Sequence, residues 1–142
     1  MARPTLPNAS VLIRTDYTDD NAWADVATAA QAPSSPDGFT ANLILVNEPI
    51  WNSITVEDLL SEIYDSSLSY VFIADTETMT HPEHPILAVY TSNIDRRGIA
   101  RGRSVRVVPR AMWSIENNLS TANLDFADYV ENAGADGVFR GF

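Results

Sequence analysis

Ser10-Val-Leu-Ile-Arg14, followed by Asp19-Asp-Asn-Ala-Trp-Ala-Asp-Val-Ala-Thr-Ala-Ala30, decides the fold. The first piece reads as a strand, and the second as a helix that opens on acids and continues in alanines. Pro33-Ser-Ser-Pro-Asp-Gly38 ends that helix. Ala41 to Val46 reads as a second apolar strand. Thr55-Val-Glu-Asp58 opens a second helix with Thr55 as its N-cap, and Tyr70 to Ala74 is a third strand. Strand, helix, strand, helix, strand predicts right-handed crossovers and a parallel sheet in the front half.

The back half breaks the alternation. Ile86 to Thr91 and Ser104 to Val108 read as strands joined by an Arg-rich loop with Gly98 and Gly102, an antiparallel excursion. Pro109 stands in the first turn of a helix around Trp113, where its missing N–H costs little. Met112, Ile115, Leu119, Ala122 and Phe126 form that helix's apolar stripe, and Asp125 to Asn132 continues or restarts it. The tail from Gly134 ends on Phe139 and Phe142, which predicts that it docks on the body. The expected fold is therefore α/β: one domain over residues 10–142, three-layer-like, with a mixed sheet. It combines a parallel βαβαβ front half with an antiparallel hairpin and C-terminal helices, and residues 1–9 read as a flexible N-terminal segment.

Composition narrows the function. With 142 residues, 45% of them hydrophobic, the chain is long enough to bury one core. No apolar run reaches the roughly 20 residues that span a bilayer. The N-terminus lacks the apolar stretch of a secretory signal, and a cytoplasmic location is expected. There is no Cys, hence no disulfide, thiolate nucleophile or Cys-bound zinc, and no Lys for Schiff-base chemistry or a phosphate loop. The net charge of −10 argues against general nucleic-acid or anionic-membrane binding. It is unevenly spread: residues 96–110 hold six Arg and no acid, for +6, while the other three Arg and all nineteen acids leave the remainder at −16. Those guanidinia suit bidentate anion recognition if they converge, and are otherwise a solvated hairpin tip.

Two segments hold the candidate chemistry. Both histidines lie in Thr80-His-Pro-Glu-His-Pro85, just after the third strand, at the sheet edge where open α/β folds place ligands. His81 or His84 paired with Asp75 or Glu83 would serve as a general acid/base; the bland alternative is a loop made rigid by its prolines. The helix segment Trp113-Ser-Ile-Glu-Asn-Asn-Leu-Ser-Thr-Ala-Asn-Leu-Asp-Phe126 carries Glu116, Asn117, Asn118 and Asn123, which core packing does not explain. Glu116 joins the catalytic candidates. Asn117, Asn118, Asn123, Trp113 and Trp51 are candidate ligand-binding residues, and the His loop is expected to pack over the polar face of the Trp113 helix. Neither a metal nor a cofactor is expected, because two histidines three residues apart need further ligands.

Thr80-His-Pro-Glu-His-Pro85, Val107-Val-Pro109, the Trp113 to Phe126 segment and Asp136-Gly-Val-Phe-Arg-Gly-Phe142 together resemble the hallmark segments of a family of small bacterial proteins, frequent in actinobacteria and classed as a domain of unknown function. The resemblance runs from about Val11 to the C-terminus. It implies no activity. Two readings stand: a small-molecule binder or cofactor-independent acid/base enzyme of isomerase, lyase or hydrolase type, and an acidic interaction module, such as a toxin-neutralising immunity protein, facing a basic protein partner.

Overall fold

The computed structural model describes residues 3–63 and 67–142. Its strands are β1 (Val11–Arg14), β2 (Ile44–Val46), β3 (Tyr70–Ala74), β4 (Ile86–Tyr90), β5 (Ser104–Val107) and β6 (Val138–Phe139). Its helices are α1 (Asp20–Gln31), α2 (Val56–Glu62), α3 (Thr76–Thr80), α4 (Met112–Ser120) and α5 (Phe126–Glu131). The strands form a single mixed sheet in the order β2-β1-β3-β4-β5-β6. β2, β1 and β3 are parallel, β4 runs antiparallel to both β3 and β5, and β6 is parallel to β5. The fold is α/β, with the parallel front and antiparallel excursion that the order of apolar runs predicts.

Side chains alternate across the pleat. Leu12, Phe72, Ile86, Ala88, Val105 and Val107 pack on one face with Trp23 and Val26 of α1, Ile115 of α4 and Tyr129 of α5. Val11, Ile13, Val71, Ile73 and Val89 pack on the other with Leu59 of α2, Trp51 and Leu6. The N-terminal segment contributes more than Leu6. Arg3 donates to the carbonyl of Ile50 at 3.0 Å and pairs with Glu62 at 2.8 Å; residues 1 and 2 of that segment lie outside the described residues.

Of the two courses expected at Asp125, continuing the helix or restarting it, the chain takes the restart: the apolar stripe from Met112 to Phe126 is divided between α4 and α5, with Ala122 at φ +55° between them. There the carbonyl of Asn118 accepts from the backbone N–H of both Asn123 and Leu124, and Asp125 starts α5 through a reciprocal capping box with Asp128. The His loop, read as following β3 directly, is separated from it by the helix α3, capped in the same way by Asp75 and Thr78. The tail adds strand β6. Phe139 is fully buried against Tyr129, a contribution of about 1.5–3 kcal/mol for a side chain of this class. Phe142 contacts the same ring while remaining 71% exposed.

Candidate functional site

Ser10 and Tyr70 stand at the amino ends of adjacent parallel strands, and the register that pairs Leu12 with Phe72 brings them level. Their hydroxyl oxygens lie 2.7 Å apart. Ser10 also donates to Oε2 of Glu116 at 2.7 Å. Glu116 reaches this point from the middle of α4 and is only 2% exposed. Its Oε1 accepts the backbone N–H of Asn42 at 2.7 Å and Nδ2 of Asn117 at 3.1 Å. Both carboxylate oxygens are thus supplied with donors, and a carboxylate can only accept. The Ser10 proton therefore points at Glu116, and the Tyr70 phenol donates to Ser10. Burial pushes the Tyr70 phenol above its ordinary pKa, the Ser10 hydrogen bond pulls the other way, and the nearby Glu116 charge adds to the rise, so the phenol is protonated at neutral pH.

This triplet borders a cleft of about 290 Å³ lined by Asn8, Ser10, Ser67, Ser69, Tyr70 and Leu119, among others. A second hollow of about 210 Å³ shares Ser69, Tyr70 and Leu119 and extends the groove past Tyr90, Ser92 and Phe126. Sequence reasoning named Glu116 but missed Ser10 and Tyr70. Both were visible as the first, polar residues of two strands predicted to be parallel; only the β1–β3 adjacency and register were missing.

The amides serve mainly to build this end of the domain. Besides holding Glu116, Asn117 donates to the carbonyl of Thr40 at 2.9 Å, which ties the loop before β2 to α4. Asn118 donates to the Ser114 carbonyl at 2.9 Å and to the Tyr129 hydroxyl at 3.1 Å, and its own oxygen accepts from Asn123 at 2.8 Å. Trp113 stacks on Phe39 with ring centroids 5.3 Å apart, beside a separate cleft of about 450 Å³ near Pro33 and Arg110. Trp51 lines none of these clefts. It is 1% exposed in the core beneath α2, and its indole N–H has no partner among the described residues.

The His loop is built at the opposite edge. Asp75 follows the carboxyl end of β3, five residues from Tyr70, which is about 16 Å along a strand. The expected packing of the His loop over the polar face of α4 is therefore corrected. The Asp75 carboxylate engages Arg106 through two hydrogen bonds of 2.9 and 2.7 Å and caps α3, so it orients no imidazole. Burial pushes the Asp75 carboxyl up, but the Arg106 hydrogen bonds and charge and the Thr78 N–H outweigh it and hold it below the usual range. His84, in a left-handed turn at φ +49°, places Nδ1 2.8 Å from the Thr78 carbonyl, which makes that nitrogen the protonated one. His81 is exposed, and its Nδ1 accepts the backbone N–H of Glu83. Among the described residues no group of three or more His, Asp or Glu side chains is placed to hold a metal ion.

The basic segment does not converge on an anion site. Arg97 reaches Asp128 at 2.9 Å and Glu131 at 2.8 Å on α5, and Arg96 reaches Asp125 at 3.1 Å. Arg101 donates to the carbonyls of Thr91 and Leu60, and Arg106 is held by Asp75 and Glu77. The loop is largely exposed, and Arg96, Arg97 and Arg101 pin it at its sides. No helix of the described residues is long and apolar enough to cross a membrane.

A search of curated proteins finds no match. The model of a family described as a domain of unknown function (DUF6924) matches residues 9–142, nearly the whole chain and including every residue of the Ser10, Tyr70 and Glu116 triplet, and the chain belongs to that family.

Proposed function

We propose that this protein binds a small molecule in the groove at the amino edge of the sheet, with Tyr70 facing the ligand and Ser10 and Glu116 behind it as a proton relay. The single observation that carries the reading is the hydrogen-bonded series of phenol, hydroxyl and buried carboxylate at the border of a cleft. In a base step the ligand's proton passes to Tyr70, the Tyr70 proton to Ser10, and the Ser10 proton to Glu116, so that only the ligand and Glu116 change charge. Such a step opens an isomerisation or a dehydration without a metal ligand, cysteine or lysine. Asn117 and the Asn42 N–H position Glu116. In this reading Tyr70 and Ser10 take the role first assigned to His81, His84 and Asp75.

The test is a small-molecule screen followed by amide chemical shifts on the labelled protein. Binding should centre on Ser69, Tyr70 and Leu119. Tyr70→Phe should retain the ligand but lose any turnover, since it keeps the ring and removes the proton carrier. Perturbations centred on the His loop or on the Trp113 cleft would refute the assignment.

A second reading, an interaction module for a basic protein, is favoured by the edge strand β2. Its Ile44 and Leu45 are 45% and 38% exposed on a chain of net charge −10. A partner captured at low salt and released as salt rises would support it.

A further inference from the structure

We infer that the ligand of the amino-edge groove is a neutral polyhydroxylated molecule of the monosaccharide or small-polyol class; the inference rests on the cleft reading above. The charged groups of the groove are already engaged. Glu116 has both oxygens satisfied by Ser10, Asn42 and Asn117. Asp125 pairs with Arg96 and Arg97 and caps α5, while Asp95 accepts the backbone N–H groups of Arg97 and Ile99 at 2.9 Å each. Among the described residues no arginine lines the groove, and Arg96 and Arg97, which meet its Asp125, are paired with Asp125, Asp128 and Glu131. An anionic ligand would therefore meet carboxylates with no cation in the groove's lining to offset them. An amine would have to compete with the donors already on Asp95 and Asp125.

What the groove does offer is uncharged. Asn8, Ser67, Ser69 and Ser92 line it and make no side-chain hydrogen bond among the described residues. Each serine hydroxyl supplies one donor and two acceptor positions, and the Asn8 amide adds both kinds, which matches a ligand carrying several hydroxyls. The groove also has ring surface. Tyr70 lines both hollows, and Tyr90 is held by its hydroxyl on the Asn93 carbonyl at 2.6 Å and by its contact with Phe126. Such rings can cover the C–H face of a sugar while the serines bind its rim.

Three probes that share one ring and differ in charge decide the matter: glucose, glucose 6-phosphate and glucosamine, each titrated into the isotope-labelled full chain while the amide signals of Ser69, Tyr70 and Tyr90 are followed. Glucose should move these signals, glucose 6-phosphate should bind at least ten-fold more weakly, and glucosamine should bind no more tightly than glucose. Ser69→Ala with Ser92→Ala should weaken glucose several-fold, and both side chains lie outside the core. Tighter binding of the phosphate or the amine, or no response to glucose, overturns the neutral-ligand inference. The cleft reading survives that result if another molecule from the screen still moves the Tyr70 signal, and falls with it if none does.

Discussion

Replacing Glu116 measures how much the amino edge depends on one carboxylate. In Glu116→Ala the Asn42 N–H and the Ser10 hydroxyl lose partners at 2.7 Å, and Asn117 loses one at 3.1 Å but keeps the Thr40 carbonyl. Leaving a buried donor unpaired costs about 1–3 kcal/mol, so two donors, one of them only part-buried and the other partly rescued by Tyr70, set a destabilisation of about 2–4 kcal/mol. Glu116→Gln is milder. Its amide NH2 cannot face Asn42 and Asn117, which are both donors, but it can face Ser10, whose hydroxyl then turns to donate to Tyr70. The loss is that of exchanging charge-assisted for neutral hydrogen bonds, about 1–2 kcal/mol. Urea unfolding at pH 7 with an unchanged m-value measures both, and in a domain of this size each kcal/mol moves the melting temperature by about 3–5 °C. An Ala variant within about 1 kcal/mol of the parent would show that the carboxylate is not the keystone of this edge. So would a Gln variant costlier than the Ala.

Two further outcomes follow from the opposite edge. The folded Asp75 carboxyl lies below its unfolded value, so its ionisation contributes stability that is fully present above the ordinary carboxylate range and is lost as pH falls through the folded pKa. Asp75→Asn should therefore destabilise at pH 7 and converge on the parent in acid; an equal difference at both ends of that range would assign the effect to packing. His84→Ala and Asn117→Ala should add within about 0.3–0.5 kcal/mol in a double-mutant cycle, because the two side chains belong to separate networks about 16 Å apart along the sheet. Coupling above that would contradict the topology.

Local chemistry in the chain was enough to determine the α/β class, the parallel front half, the antiparallel excursion and the start of each long element. Runs such as Val11-Leu-Ile-Arg14 and Tyr70-Val-Phe-Ile-Ala74 have strand length, and Asp19 and Thr55 announce helices through caps that need only neighbours in sequence. It also marked Glu116 and Asn117 as residues needing partners. Only the tertiary structure decided who those partners are. Glu116 meets Ser10 across 106 positions and Asn42 across 74, and no periodicity carries information about such closures. The Arg-rich loop was legible as charge but not as a clamp, since Arg97 finds its acids on α5 more than thirty positions away. The same holds for the two candidate segments. Each was visible as unusual, but whether they face one another depends on which end of the sheet each reaches, and that is a property of strand order and direction, set by the packing of both faces at once.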